Sequence, residues 1–184
     1  MRGLNLNNMT NNPRKVILEV REWAKRQPWQ GVSDADYGVV EEVGEKVHCI
    51  LKNIQGIRGF NDEAFFKEHL KDAFGDAMVY LSDWCGQRNT YYHLPTGERT
   101  VTFRAYRPLL AKLLAALAQL VAISCTPPED ADPEECKVIA SKVAQTLDVM
   151  ALNFGFNLLE DCLYPTWDKV KQRDWAKNPH APKE

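Results

Sequence analysis

Apolar residues recur along this chain at intervals of three and four, the period of an amphipathic helix. Val16, Ile17, Val20 and Trp23 make the first stripe, opened by Pro13 and closed near Pro28 and Gly31. Proline suits a first helical turn because its missing N–H has no intrahelical partner there. Val39, Val40, Val43, Val47, Ile50, Leu51 and Ile54 make a second, longer stripe, with Ser33 and Asp36 placed as a capping box and Gly56 and Gly59 as the stop. A third helix is predicted from Asn61, with Phe66, Leu70, Ala73, Phe74, Ala77, Leu81 and Trp84 on its apolar face and Gly86 at its end.

The period then changes. Tyr91–Leu94 and Arg99–Phe103 alternate around Pro95-Thr96-Gly97-Glu98, which predicts a small β-hairpin inserted over 87–104. Helical spacing returns in a Leu- and Ala-rich segment from Tyr106 to Ser124. Asp132-Pro133-Glu134-Glu135 is a strong start for a helix reaching Leu152, combining a cap, a first-turn proline and acids near the positive helix end. Phe154-Gly155-Phe156 turns the chain, and Asn157 with Glu160 opens a last helix, kinked at Pro165 and ending near Trp175. The expectation is an all-α helical bundle with a four-helix core and one inserted hairpin. A single domain would span 13–178, between a disordered Asn-rich segment (1–12) and a flexible tail (179–184).

Composition narrows the function classes. The chain has 184 residues, 45% of them hydrophobic and 26% charged, with a net charge of −2. Its basic residues are scattered, so no nucleic-acid partner is expected. Leu109–Ile123 is apolar but shorter than the roughly 20 residues a bilayer requires. Lys112 and Gln119 also interrupt it, so it is read as a buried or subunit-interface helix with no membrane partner. The N-terminus carries no apolar run of secretory type. Five cysteines without CxxC spacing argue against a zinc site or disulfide framework and for a reducing, cytoplasmic setting.

The candidate chemistry lies in two acidic clusters on consecutive predicted helices. Glu41, Glu42 and Glu45 sit largely opposite the Val/Ile stripe of the second helix. Asp72 and Asp76, in line with Asp83, sit opposite the Phe/Leu stripe of the third. Such faces are ordinarily solvated. Like charges four residues apart, however, cost a helix a few tenths of a kcal/mol per pair, roughly, and a divalent cation would reverse that cost. Gly44 and Gly75 lie inside the two helices, where a glycine is kept when another backbone or a ligand comes close. Two carboxylate faces turned together would make a cage of hard oxygens suited to Mg²⁺ or Mn²⁺ on a polyphosphate. Glu45 with His48 is one half of a di-iron ligand motif, and the chain holds no second half. No Walker loop, Rossmann glycine fingerprint or nucleophile elbow is present.

Val39-Val40-Glu41-Glu42-Val43-Gly44-Glu45, followed by Lys71-Asp72-Ala73-Phe74-Gly75-Asp76-Ala77, resembles the paired motifs of the MazG-like all-α nucleoside triphosphate pyrophosphohydrolases. Glu22-Trp23-Ala24-Lys25 and Trp167–Trp175 resemble flanking segments of that family, and the likeness covers residues 14–86 and 153–178. It implies a Mg²⁺- or Mn²⁺-dependent cut between the α and β phosphates, releasing a nucleoside monophosphate and pyrophosphate. Carried over by position, Glu42, Glu45, Asp72 and Asp76 would hold metal. Glu41 would be a ligand or orient the attacking water, with Glu42 and Glu45 also in the catalytic set. Lys169 and Arg173 would steady phosphates. The family's second motif has Glu three residues before its Asp. Here that position is Ala73, and Asp72 takes the part, as in phage-type members. Similar phage proteins include some that convert dGTP to dGMP for 2-aminoadenine DNA synthesis, which tilts the expectation toward a guanine nucleotide in a host cytoplasm. A dUTP- or dCTP-directed hydrolase of the same fold is the first alternative, and a non-catalytic helical interaction protein the second. The resemblance also implies a homo-oligomer, a dimer or tetramer, and the Leu109–Val121 stripe is broad enough to serve as its interface. The base-binding residues are unassigned. Trp23, Trp29, Trp84, Tyr91, Tyr92 and Tyr106 are the aromatic candidates.

Overall fold

The computed structural model describes residues 13–28, 34–95, 106–174 and 177, and among these every regular element is helical. The elements are α1 (Pro13–Ala24), α2 (Ala35–Gln55), α3 (Glu63–Gln87), α4 (Tyr106–Ser124), α5 (Pro133–Asn153), a π-helical segment (Leu158–Leu163) and α6 (Tyr164–Val170). The expected all-α class is what forms.

Helix α3 is the hub, touching α1, α2, α5, α6 and the π-helical segment. Its Leu70, Phe74, Met78, Leu81 and Cys85 recur at three and four and have no exposed surface, as its sequence pattern demands. Burying a side chain of that size contributes about 1.5–3 kcal/mol. Asp62, one residue beyond the expected Asn61, caps the helix by accepting a hydrogen bond from the Phe65 N–H at 2.8 Å. Gly86 does not stop α3. A Cβ there would stand 2.7 Å from Arg21 Cβ, so the glycine is where α1 crosses. Because α1 lies over this end, Asp83 is buried beside Arg21 (3.6 Å) while Asp72, on the same line, stays exposed.

Helix α2 departs from its predicted stripe. Val39, Val43 and Ile50 go inward, but so do Glu42 and Lys46, while Val40, Leu51 and Ile54 face out. The helix is rotated relative to the wheel reading because α3 packs on the side bearing Gly38, Glu42 and Lys46.

Helix α4 turns Leu109, Leu113, Leu117 and Leu120 inward, with α5 as its main neighbour and α2 as a second. Its expected interface leucines are therefore used within the chain. Among the described residues α4 is the one helix long and apolar enough to cross a membrane, with a mean hydropathy of 1.5. Asp132 caps α5 as predicted, accepting from the Glu134 N–H at 3.0 Å. Four cysteines are buried as small apolar side chains and Cys125 is exposed, all as free thiols.

Residues 91–95, the expected first arm of the hairpin, form no strand. The His93 N–H donates to Ser141 Oγ (2.9 Å) and its carbonyl accepts from Gln145 Nε2 (3.1 Å). Side chains of α5 thus satisfy backbone groups that a partner strand would have taken. The turn and second arm, Thr96 to Phe103, lie outside the described residues, as do the two terminal segments 1–12 and 179–184 and Ser33 of the expected capping box.

Candidate functional site

The first half of α2 and the middle of α3 meet at Gly38 and Tyr80. A Cβ on Gly38 would lie 2.3 Å from Tyr80 Cδ1, so only glycine lets the phenol ring lie across α2. Burial raises the Tyr80 pKa, and the negative charges of Glu42, Glu41 and Asp76 raise it further, while Arg173 opposes them. Carboxylates from both predicted acidic clusters, and one of the two predicted cations, therefore act on a single hydroxyl. Tyr80 was not singled out from the sequence. The available signal was its position four residues after Asp76, on the same face of α3.

The four proposed metal-ligand positions differ in setting. Glu42 is only 4% exposed, contrary to the expected solvated face. Glu45 is exposed, close enough to Cys49 for its charge to add to burial in pushing that thiol up to about 11. Asp72 is exposed and Asp76 half-buried. Glu41, on the outer side of α2, is exposed. Asp83 belongs to the α1–α3 contact, where Gln87 Nε2 also donates to its Oδ2 at 3.0 Å.

Beside Glu42, one turn on, Lys46 is wholly buried. Its ammonium lies 4.0 Å from Met150 Sδ and 4.7 Å from the Phe74 ring centroid. Burial lowers its pKa to about 7. The sequence gave no warning of this, since a lysine in a helix is ordinarily solvated.

Lys169 and Arg173 reach the acidic faces because the chain after α5 folds back over α3. A Cβ on Gly75 would stand 2.0 Å from Thr166 Oγ1 and 2.8 Å from the Cys162 carbonyl oxygen. Gly75 is thus kept for a backbone approach, one of the two reasons expected for it. Gly44 has nothing within 4 Å of the same position. Asn157 caps the π-helical segment through the N–H groups of Leu159 and Glu160, and Pro165 enters the first turn of α6, where its missing N–H costs little. Trp167 stacks edge-on against Trp23 at 5.9 Å and donates to Glu19 Oε2 at 3.0 Å, and Trp23 Nε1 donates to the Arg173 carbonyl at 3.3 Å. These ties between α1 and α6 bring Lys169 Nζ to 3.9 Å from Asp72 Oδ1, in an exposed pair.

The donor set is one of hard carboxylate oxygens on two facing helices, which suits a small divalent cation in kind. Among the described residues no three His, Cys, Asp or Glu side chains already stand together as a ligand group. Of the aromatic candidates, Trp23, Trp84 and Tyr92 are buried in the core, and the indole N–H of Trp84 donates to Ser124 Oγ at 2.9 Å. Tyr91 lies under the Arg14 guanidinium at 3.9 Å, Tyr106 is half-buried against Phe154, and Trp29 lies outside the described residues. A separate groove of about 430 Å³ runs between α4 and α5, lined by Leu109, Lys112, Gln119, Lys142 and Gln145 among others. It includes none of the predicted site residues.

The chain matches no family model. No curated protein or solved structure matches it either.

Proposed function

We propose that this chain is a metal-dependent nucleoside triphosphate pyrophosphohydrolase of MazG-like type, cleaving an NTP or dNTP to the monophosphate and pyrophosphate. The observation that carries the reading is the convergence on Tyr80 of Glu41 and Glu42 from α2, Asp76 from α3 and Arg173 from the C-terminal segment. A carboxylate cluster with cations at its rim is the pattern required to hold a metal-bound triphosphate.

In this reading Glu42, Glu45, Asp72 and Asp76 hold Mg²⁺ or Mn²⁺. When bound, the ion neutralises phosphate charge and makes a bound water more acidic. Glu41, exposed at the outer edge, accepts a proton from the attacking water and aims its oxygen at the α phosphorus. The α–β phosphoanhydride bond breaks as the new P–O bond forms, and pyrophosphate leaves. Lys169 and Arg173 offset charge on the departing phosphates, with Arg173 held in place through its backbone by Trp23. Tyr80 keeps the two acidic helices at a fixed separation.

The test is product analysis with a full panel of NTPs and dNTPs in Mg²⁺ or Mn²⁺, with dGTP and GTP expected among the best. Glu45→Gln with Asp76→Asn should lower turnover by about a thousandfold or more. No turnover of any nucleotide by the wild type would overturn the reading and leave a non-catalytic helical interaction protein. A clear preference for dUTP or dCTP would keep the chemistry and change the substrate.

A further inference from the structure

The outer face of α2 is apolar and uncovered. Tyr37 is 64% exposed, Ile54 77%, Leu51 45% and Val40 41%. Gly44, which meets nothing within 4 Å, and half-buried Val47 fall on the same line. The spacing of Tyr37, Val40, Gly44, Val47, Leu51 and Ile54 alternates three and four throughout, which is a helix–helix seam and not scattered surface apolarity. The inward face of the same helix is already occupied, so this seam is additional to the fold.

We infer that this face binds a second copy of the chain, with the two α2 helices antiparallel. Turned end for end, the seam matches itself: Tyr37 falls opposite Ile54, Val40 opposite Leu51, and Gly44 opposite Val47. That is the self-complementarity a two-fold interface requires. Gly44 and Val47 place the smallest side chains at the centre, where the helices cross most closely. Charge selects the direction. Asp36, Glu41 and Glu45 flank the first half of α2, and His48 and Lys52 the second. An antiparallel pair sets acids against bases, Glu41 beside the second copy's His48, whereas a parallel pair sets like against like. Opposed helix dipoles favour the same direction. Glu41 lies between this face and the carboxylate cleft, so the second copy would form one edge of that cleft. The docking inference itself does not rest on the catalytic reading.

The test is solution mass and cross-linking, both read without substrate. At roughly 100 μM the purified chain should have the mass of a dimer. Leu51→Glu with Ile54→Glu, both at exposed positions, should weaken association by about a hundredfold or more while helicity is unchanged. In a Cys125→Ser background, Val40→Cys combined with Leu51→Cys should form an interchain disulfide on oxidation, and neither single variant should. The two positions are about 16 Å apart along one helix, too far for a bond within it. A monomeric wild type, or a dimer that survives the two glutamates, would overturn the inference. Cross-linking by the single variants would overturn the antiparallel register.

Discussion

Helices α2 and α3 lie side by side, yet they obey their sequence patterns to different degrees. In α3 the apolar residues face in and the line of acids begins facing out. In α2 a glutamate and a lysine are inside, while valine, leucine and isoleucine are outside. A hub helix is surrounded, so its pattern has one solution. A peripheral helix is fixed by whatever it must present to each neighbour, and a broken pattern there marks a second demand on the same surface. For α2 those demands are the acidic cleft on one flank and the uncovered seam on the other.

The comparison can be tested from the inside first. Leu70→Ala in α3 should destabilise the chain by about 2–5 kcal/mol, measured by urea unfolding, because a fully buried leucine leaves a cavity. A loss under about 1 kcal/mol would remove α3 from the role of hub.

The opposite sign is expected inside α2. The folded pKa of Lys46, about 7, lies below its ordinary 10.5, so between these values the unfolded chain binds more protons and stability rises with pH. In metal-chelated buffer the wild type should gain roughly 1.5 kcal/mol from pH 7 to 8.5 relative to Lys46→Met, which should also be the more stable protein at pH 7. Parallel pH profiles would show that Lys46 keeps its charge in water.

The smallest effect belongs to the rim. A double-mutant cycle on Asp72 and Lys169 should give a coupling below about 1 kcal/mol, since both side chains are more than half exposed and screened. A larger coupling would make this pair a structural clamp and not a place for phosphate.

How far the sequence was legible follows from the same contrast. Strong local signals held: the α3 stripe, the Asp132 cap and the glycine contact at position 75 were all readable from spacing and residue type. The rotation of α2 was not, because a wheel shows which residues share a face and not which face the rest of the chain covers. Lys46 and Asp83 were misplaced for that reason, their burial being set by α3, α5 and α1. The hairpin expectation rested on β-branched alternation alone, and for residues 91–95 the side chains of α5 supply the hydrogen bonds instead. Within the candidate site, the two acidic clusters and Arg173 were named from sequence. Tyr80 was missed, since one tyrosine on an amphipathic helix carries no signal until Gly38 is known to lie beneath it.

The π-helical segment Leu158–Leu163 bears on how this chain tolerates change in length. A π turn accommodates one residue more than an α turn, and here it joins directly to α6. Removing any single residue from it would rewind the segment to α pitch and turn α6 by about 100° on its axis. Lys169 would then leave the neighbourhood of Asp72 with no side chain in the cleft altered. Along these six residues the count of amino acids is held more tightly than most of their identities.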